Sequence, residues 1–589
     1  MRWNLDKLYT SFQSKDYKGD LEKLDLLIGN FNKWADDNLN SLDSPVKKIE
    51  EYIEFSKDIS SLFAKLASFA SLSSAVDARD EDALKYLDIL GVKSTELTKP
   101  EVQFQNFIKE ITNLDELTSK SEILKEHRFH LKQIKLNTQY MLSEKEEILI
   151  SKMANTGSSS WSKLQNKISS TLMVDIHIDG EDKKLPLPIV RNLAYDKNPK
   201  KRKLAYEAEL ESYKKIEESS AAALNGIKGE VITLSELRGF QSPLEETLVQ
   251  SRMDKETLDA MLTAMKEFLP VFHKYYRKKA ELLGYRDGLP FYEIFAPVGE
   301  VNMSFTYKEA IDYIVTNFRT FSDRLADFVQ KAYDNHWLDV EPRDGKRGGA
   351  FCSNLHPIGE SRILSNFDGS FSNMTTLAHE LGHAYHGLNL RDESILNSRY
   401  PMPIAETASI FCETIVVNAA LKEAKDAEAL SILESSISDA GQVIVDIYSR
   451  FLFETELFER RKGHSLSVNE FKEIMIDAQK KAYGEGLNHN VLHPYMWINK
   501  SHYYSAGRNF YNFPYAFGLL FSKGLYVEYL NRGKAFVKDY DELLNATGKN
   551  NIRDIALKMD IDVHDPEFFR NSLRLIEKDI EKFIELADK

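Results

Sequence analysis

Cysteine is nearly absent from this 589-residue chain: Cys352 and Cys412 are the only two, and they form no CxxC pair. That excludes a disulfide framework and a thiolate zinc site. Positive charge is in deficit, with 77 Lys and Arg against 91 Asp and Glu for a net charge of −14. Such a surface disfavours DNA, RNA or anionic lipid as partners. No run of eighteen apolar residues occurs, so no segment reads as a transmembrane helix. The opening MRWNLDKLYTSFQSKDYKGD is interrupted by charge every few residues and lacks the apolar core of a secretory signal. Cytoplasmic residence, with no membrane partner, is the expectation. A charged fraction of 29% beside an apolar fraction of 42% excludes wholesale disorder.

Proline (16) and glycine (27) are also scarce for this length, which leaves room for long helices. Apolar residues recur three to four apart over Leu21–Ile53 and Ile123–Lys152, the period of a helix with one buried face. Strand-like alternation is confined to two places. Residues 174–187 alternate around Asp179-Gly180, a dipeptide that favours a tight hairpin, and Asn198 before Pro199 caps the helix that follows. Ala350–Cys352 and Arg362–Phe367 read as two short strands after the turn-rich, basic stretch 340–350. The fold class expected is mostly α, with one small sheet near position 360.

That sheet leads into Thr375–His386, which contains His379-Glu380-Leu-Gly-His383, an HExxH motif. On a helix, residues i and i+4 project from one face, so the two imidazoles converge on a point. Neutral imidazoles at ~2.0–2.1 Å supply half of a tetrahedral zinc site. Glu380 lies one position off that stripe, able to reach a water without being a ligand, as a general base must. With 14 His in the chain, chance yields this pattern roughly 0.02 times. Gly382 inside the motif implies close approach of a second helix, because mid-helix glycine costs ~1 kcal/mol relative to Ala. A third ligand is still needed. HExxHxxGxxH fails, since the chain has His386 and Asn389 where Gly and His are required. Pro401 and Pro403 mark a helix start that places Glu406 as the third ligand, and Glu413 two turns on as the partner orienting an imidazole. Glu393 comes too soon after the motif helix for the chain to turn back. His127, His130, His386, His489 and His493 read as ordinary structural histidines.

His379–His386 followed by Ala405-Glu406-Thr-Ala-Ser409 and Glu413 resembles the thimet oligopeptidase family of zinc metallopeptidases. Phe367–Phe371 and the opening Trp3–Tyr9 are similar to its bacterial oligoendopeptidase F branch. The strong resemblance spans roughly residues 200–580. It implies a two-lobed helical body of zincin type, with the small sheet beside the HExxH helix and a deep central channel for short peptides. It also implies one Zn²⁺ per chain and supports Glu406 as ligand by matching position. By the same match His502 and Tyr511 or Tyr515 face the scissile carbonyl as oxyanion donors, with Tyr503 and Tyr504 as competitors because Ser505–Arg508 interrupts the family's spacing. Lys346–Phe351 resembles the segment that binds substrate main chain, which brings in Gly348, Gly349 and Ala350. The division expected is a helical region 1–115, an oligoendopeptidase F-type subdomain 116–195 and a catalytic domain 196–589.

The activity these readings point to is hydrolysis of internal bonds in short oligopeptides, Glu380 moving the proton. An exopeptidase is the first rival and would need a charged clamp such as Arg508 or Arg347. A catalytically silent peptide-binding protein is the second. Mn²⁺ or Co²⁺ also suits the ligand set.

Overall fold

The computed structural model describes residues 1–299 and 303–589. Two long helices open the chain, α1 (Lys15–Asn38) and α2 (Pro45–Val76). The helical period read over Leu21–Ile53 is therefore two helices: Ser44 takes a left-handed φ of 48° and Pro45 starts α2. The stretch Ile123–Lys152 is likewise broken, into Glu122–Glu126, Arg128–Asn137 and Glu144–Thr156. The hairpin is β1 (Met173–Ile178) against β2 (Glu181–Pro186), with Asp179 and Gly180 at φ 55° and 80°. Positive φ at both central residues is the twist-matched two-residue turn. Helix α3 (Pro199–Tyr213) is capped by Asn198, whose side chain accepts from the Lys200 N–H.

Helix α4 (Lys255–Leu282) precedes a three-stranded sheet in the order β3 (Leu338–Asp339), β5 (Glu360–Leu364), β4 (Phe351–Leu355). Strand β4 is antiparallel to β5 and forms an edge; β3 is parallel to β5. The second strand thus begins two residues earlier than its apolar run and stops at Leu364. Strand β3 is too short to leave a periodic signal. Gly369 at φ 90° turns the chain, and Ser370 caps α5 (Phe371–Leu390) by accepting from the Asn373 N–H. After Pro401 come α6 (Met402–Ala405) and α7 (Thr407–Glu423), with Glu406 at the joint between them. Helix α8 (Asp426–Gly441) completes the elements used below.

The chain forms two compact units, each assembled from separated segments. One comprises Met1–Met141, Met303–Ala419 and Glu528–Asp560; the other comprises Leu142–Asn302, Ala420–Val527 and Ile561–Lys589. These units do not follow consecutive boundaries at 115 and 195. The first has a core built around Tyr17, Phe31, Tyr52, Phe69 and Phe104, and the second around Val174, Ile176, Leu224, Phe453 and Trp497. Two helices, Pro45–Val76 and Met402–Glu423, are long and apolar enough to cross a membrane by length and composition. Both place apolar residues in the protein interior, among them Ile49, Ile53 and Leu66 of α2 and Phe411 and Val416 of α7.

Candidate metal centre

His379 and His383 stand one turn apart on α5 with ring centroids 5.0 Å apart. Glu406 Oε2 lies 3.2 Å from His379 Nε2 and 3.4 Å from His383 Nε2. Ligand atoms on a tetrahedral ion with ~2.0–2.1 Å bonds sit about 3.3 Å from one another. The donor set and its spacing therefore fit one zinc. The three side chains are 19–26% exposed, so the point on which they converge is reachable by a small molecule.

The surroundings of the ligands are organised as well. His379 Nδ1 lies 3.1 Å from Glu413 Oε2, which fixes the tautomer and leaves the Nε2 lone pair for a cation. Ser409 Oγ donates to Glu406 Oε2 at 2.7 Å. Burial opposes charge on the His379 ring, but hydrogen bonds to Glu406 and Glu413 win and push it up to about 10 in the metal-free protein. Burial also opposes charge on Glu406, yet hydrogen bonds from the two imidazoles hold its carboxyl well below the usual range.

Gly382 explains how one helix and one distant carboxylate meet. A Cβ at this position would sit 2.5 Å from the Ala408 carbonyl oxygen and 2.6 Å from Ser409 Cα. Only glycine lets the start of α7 pass this close to α5, and α7 brings Glu413 while its joint with α6 brings Glu406.

Glu380 is 7% exposed. Burial raises its carboxyl above the ordinary value, His379 and His383 pull it down, and Glu406 pushes it up again. The Cys352 backbone of β4 also lowers the same carboxyl. A hydrogen bond ties β4 to α5: Asn354 Nδ2 donates to the His383 carbonyl at 3.2 Å, while Ser361 Oγ of β5 donates to Asn354 Oδ1 at 2.7 Å. Gly387 makes room for that amide, since a Cβ there would fall 2.3 Å from Asn354 Oδ1. Cys352, Asn354 and Ser361 escape sequence reading because the contact is between a strand and a helix; Gly387, one turn past His383, was the available signal.

The glycine stretch before β4 is anchored rather than loose. The Lys346 side chain is wholly buried, donating to the Ser365 carbonyl at 2.6 Å and lying 2.8 Å from Asp339 Oδ1. Asn366 Nδ2 ties down the carbonyls of Arg347 and Gly349. Gly349 takes φ 78°, and a Cβ on Gly348 or Gly349 would meet nothing within 4 Å. Ala350 leads directly into β4. An edge strand with open space beside it can accept an extended peptide backbone.

The His502–Tyr515 segment belongs to the other unit. His502 and Tyr511 have ring centroids 5.3 Å apart, Tyr511 and Tyr515 5.9 Å, and Arg508 lies over the Tyr511 ring at 5.3 Å. Tyr503 and Tyr504 are buried at 2% and 3% exposure, Tyr503 against Phe453, which leaves Tyr511 and Tyr515 as the accessible phenols. Burial and the charges of Arg450, Lys500 and Arg508 hold the His502 imidazole below its ordinary pKa. His386 and His127 have local partners. His386 is buried, stacks on Tyr400 at 4.0 Å and bonds Thr547 Oγ1, and burial pushes it down to about 3. His127 bonds the Ile123 carbonyl and Ser394 Oγ. Glu393 pairs with Lys549 at 2.5 Å.

A helical body with a two-histidine, one-carboxylate cluster beside a small edge strand defines the class, a metalloendopeptidase. The chain belongs to peptidase family M3, whose model matches residues 192–575, and an oligopeptidase F model matches residues 110–173. It is 23% identical to oligopeptidase PepF of Bacillus subtilis (strain 168), across all of this chain and 87% of that one. It is 24% identical to an oligoendopeptidase F homolog of Lactococcus lactis subsp. lactis (strain IL1403), across all of this chain and 98% of that one. The crystal structure of oligoendopeptidase-F from Enterococcus faecium superposes with a TM-score of 0.72 at 17% identity, covering 97% of this chain and 99% of that one. At that identity the likeness is one of fold.

Proposed function

We propose that this protein is a zinc-dependent endopeptidase of short oligopeptides, acting in the cytoplasm without a nucleic-acid or membrane partner. The observation that carries the reading is the single carboxylate oxygen of Glu406 lying 3.2 and 3.4 Å from two Nε2 atoms. His379, His383 and Glu406 would hold one Zn²⁺ per chain. Zinc, when bound, supplies Lewis acidity toward a carbonyl and toward water.

The protein's own groups then divide the work. Glu380 accepts a proton from the attacking water and returns it to the leaving amine; burial among opposing charges suits a carboxyl that must both take and give. Glu413 and Ser409 hold His379 and Glu406 in place. Gly348, Gly349 and Ala350, with the edge of β4, align the substrate backbone as an added strand. His502, with Tyr511 or Tyr515, donates hydrogen bonds to the carbonyl oxygen as it gains charge, each worth ~3–4 kcal/mol when well aligned. Arg508 is assigned to the substrate's polar periphery.

Mass mapping of fragments from a terminally blocked peptide tests the reading. Cleavage at internal bonds, abolished by a chelator and restored by one equivalent of zinc, is expected. Release of terminal residues alone, or cleavage indifferent to chelation, would overturn it.

A further inference from the structure

The second unit contains a cavity of about 580 Å³ that the reaction above does not use. Its walls come from α3, α8, the segments 188–195 and 291–297, and residues 483–500. Tyr195, Tyr206, Phe291, Tyr292 and Phe295 supply an aromatic lining. A π-helical turn, Gln442–Asp446, forms part of the wall, and such turns are enriched at functional sites.

Charge at this wall is paired with one exception. Glu209 meets Arg191 at 3.2 Å and accepts from the Tyr213 hydroxyl at 2.8 Å. Glu434 meets Lys279 at 2.5 Å, Arg202 meets Glu293 at 2.7 Å, and Asp446 is paired with Arg450. Asp439 is engaged in an interaction of its own. Lys500 also lines the cavity, and among the described residues it has no carboxylate in ion-pair contact. Burial, with repulsion from Arg450 and Arg191, pushes its ammonium down to about 8 against the weaker pull of Asp446 and Glu209, which stand on the same wall without touching it, so it still carries its proton at neutral pH. Lys500 is half-buried with no carboxylate in contact, and an incoming anion would give that charge a direct partner.

We propose that this cavity binds a small monocarboxylate bearing an aromatic or apolar group, with Lys500 as the partner of the carboxylate. That is the chemistry of a peptide's C-terminal residue, a source named on the strength of the peptidase reading; the site itself is argued from the cavity alone. One unpaired cation sets the ligand's charge, the aromatic lining sets its body, and the volume admits one or two residues.

Titration calorimetry of the whole protein with N-acetyl-L-phenylalanine and with its amide tests the proposal without reference to hydrolysis. The acid is expected to bind at least tenfold more tightly than the amide, and Lys500→Gln to remove that difference while the weak binding of the amide persists. Equal binding of acid and amide, or a preference unchanged in the variant, would overturn it. Should the variant misfold, acylation of Lys500 in the parent protein, followed by mass mapping, gives a second readout. Protection of Lys500 by the acid and not by the amide supports the site, and equal labelling with either present refutes it. Internal cleavage of peptides with the cavity shown empty of carboxylates would leave the peptidase reading intact and this one refuted.

Discussion

The candidate metal cluster of one unit and the His502–Tyr515 segment of the other are held in different ways, and the contrast shows what each arrangement can fix in place. The three candidate ligands each have a second tether: Glu413 for His379, the Asn354 amide on the carbonyl of His383 and Ser409 for Glu406. Two glycines let neighbouring elements approach α5, α7 at Gly382 and β4 at Gly387. His502, Tyr511 and Tyr515 are in ring contact at 5.3 and 5.9 Å, with Arg508 over the Tyr511 ring and a further interaction at Tyr515. A metal site needs ligand atoms placed to a few tenths of an ångström, because coordination bonds are short and directional. Hydrogen-bond donors to a developing charge can close on it as the substrate binds.

The largest effect that would break this contrast belongs to Glu380→Gln. Steady-state kinetics should show kcat lower by roughly 10²–10⁴-fold with zinc content unchanged; activity near the parent rate would remove Glu380 from the mechanism. Tyr511→Phe and Tyr515→Phe come next. One of the two should lower kcat by about 10²–10³-fold with little change in zinc affinity, and the other should be nearly silent, which assigns the donor. Glu413→Gln should leave the fold intact and weaken zinc binding by about 10–100-fold in a chelator competition.

Gly382→Ala tests the packing directly, since its methyl would overlap the Ala408 carbonyl. A loss of about 1–3 kcal/mol in unfolding free energy, accompanied by weaker zinc binding, is expected, whereas the exposed Gly507→Ala should change neither. The smallest effect is a proton count. His379 sits at about 10 in the metal-free protein, so zinc uptake at pH 7 must release about one proton and must weaken as pH falls. Calorimetry in two buffers of different ionisation enthalpy reads that number; no proton release would contradict the hydrogen bonding of His379 described above.

How much was legible in the sequence follows the same division. His379, Glu380 and His383 are local to one helix, so their spacing alone encodes a converging face. Glu406 was found because Pro401 and Pro403 announce a helix start, although the break that places it between α6 and α7 was not visible. Gly382 could be read as a close-approach site, because a glycine in a helix interior is unfavourable without a packing reason. The contacts from Cys352 and Asn354 depend on how a strand lies against a helix, which no local pattern encodes. The same holds for Lys346, whose side chain is buried against Asp339. An aromatic-rich stretch is equally ambiguous: Tyr503 and Tyr504 pack inward as core while Tyr511 and Tyr515 stay accessible, and composition does not distinguish them.

X-ray absorption at the zinc edge of the reconstituted protein tests the central claim most directly. Two imidazole nitrogens and oxygen donors at ~2.0–2.1 Å, with no sulfur, are predicted, and Glu406→Ala should remove one oxygen from that shell while leaving both imidazoles. A sulfur scatterer at ~2.3 Å, or a shell unchanged by Glu406→Ala, would contradict the account.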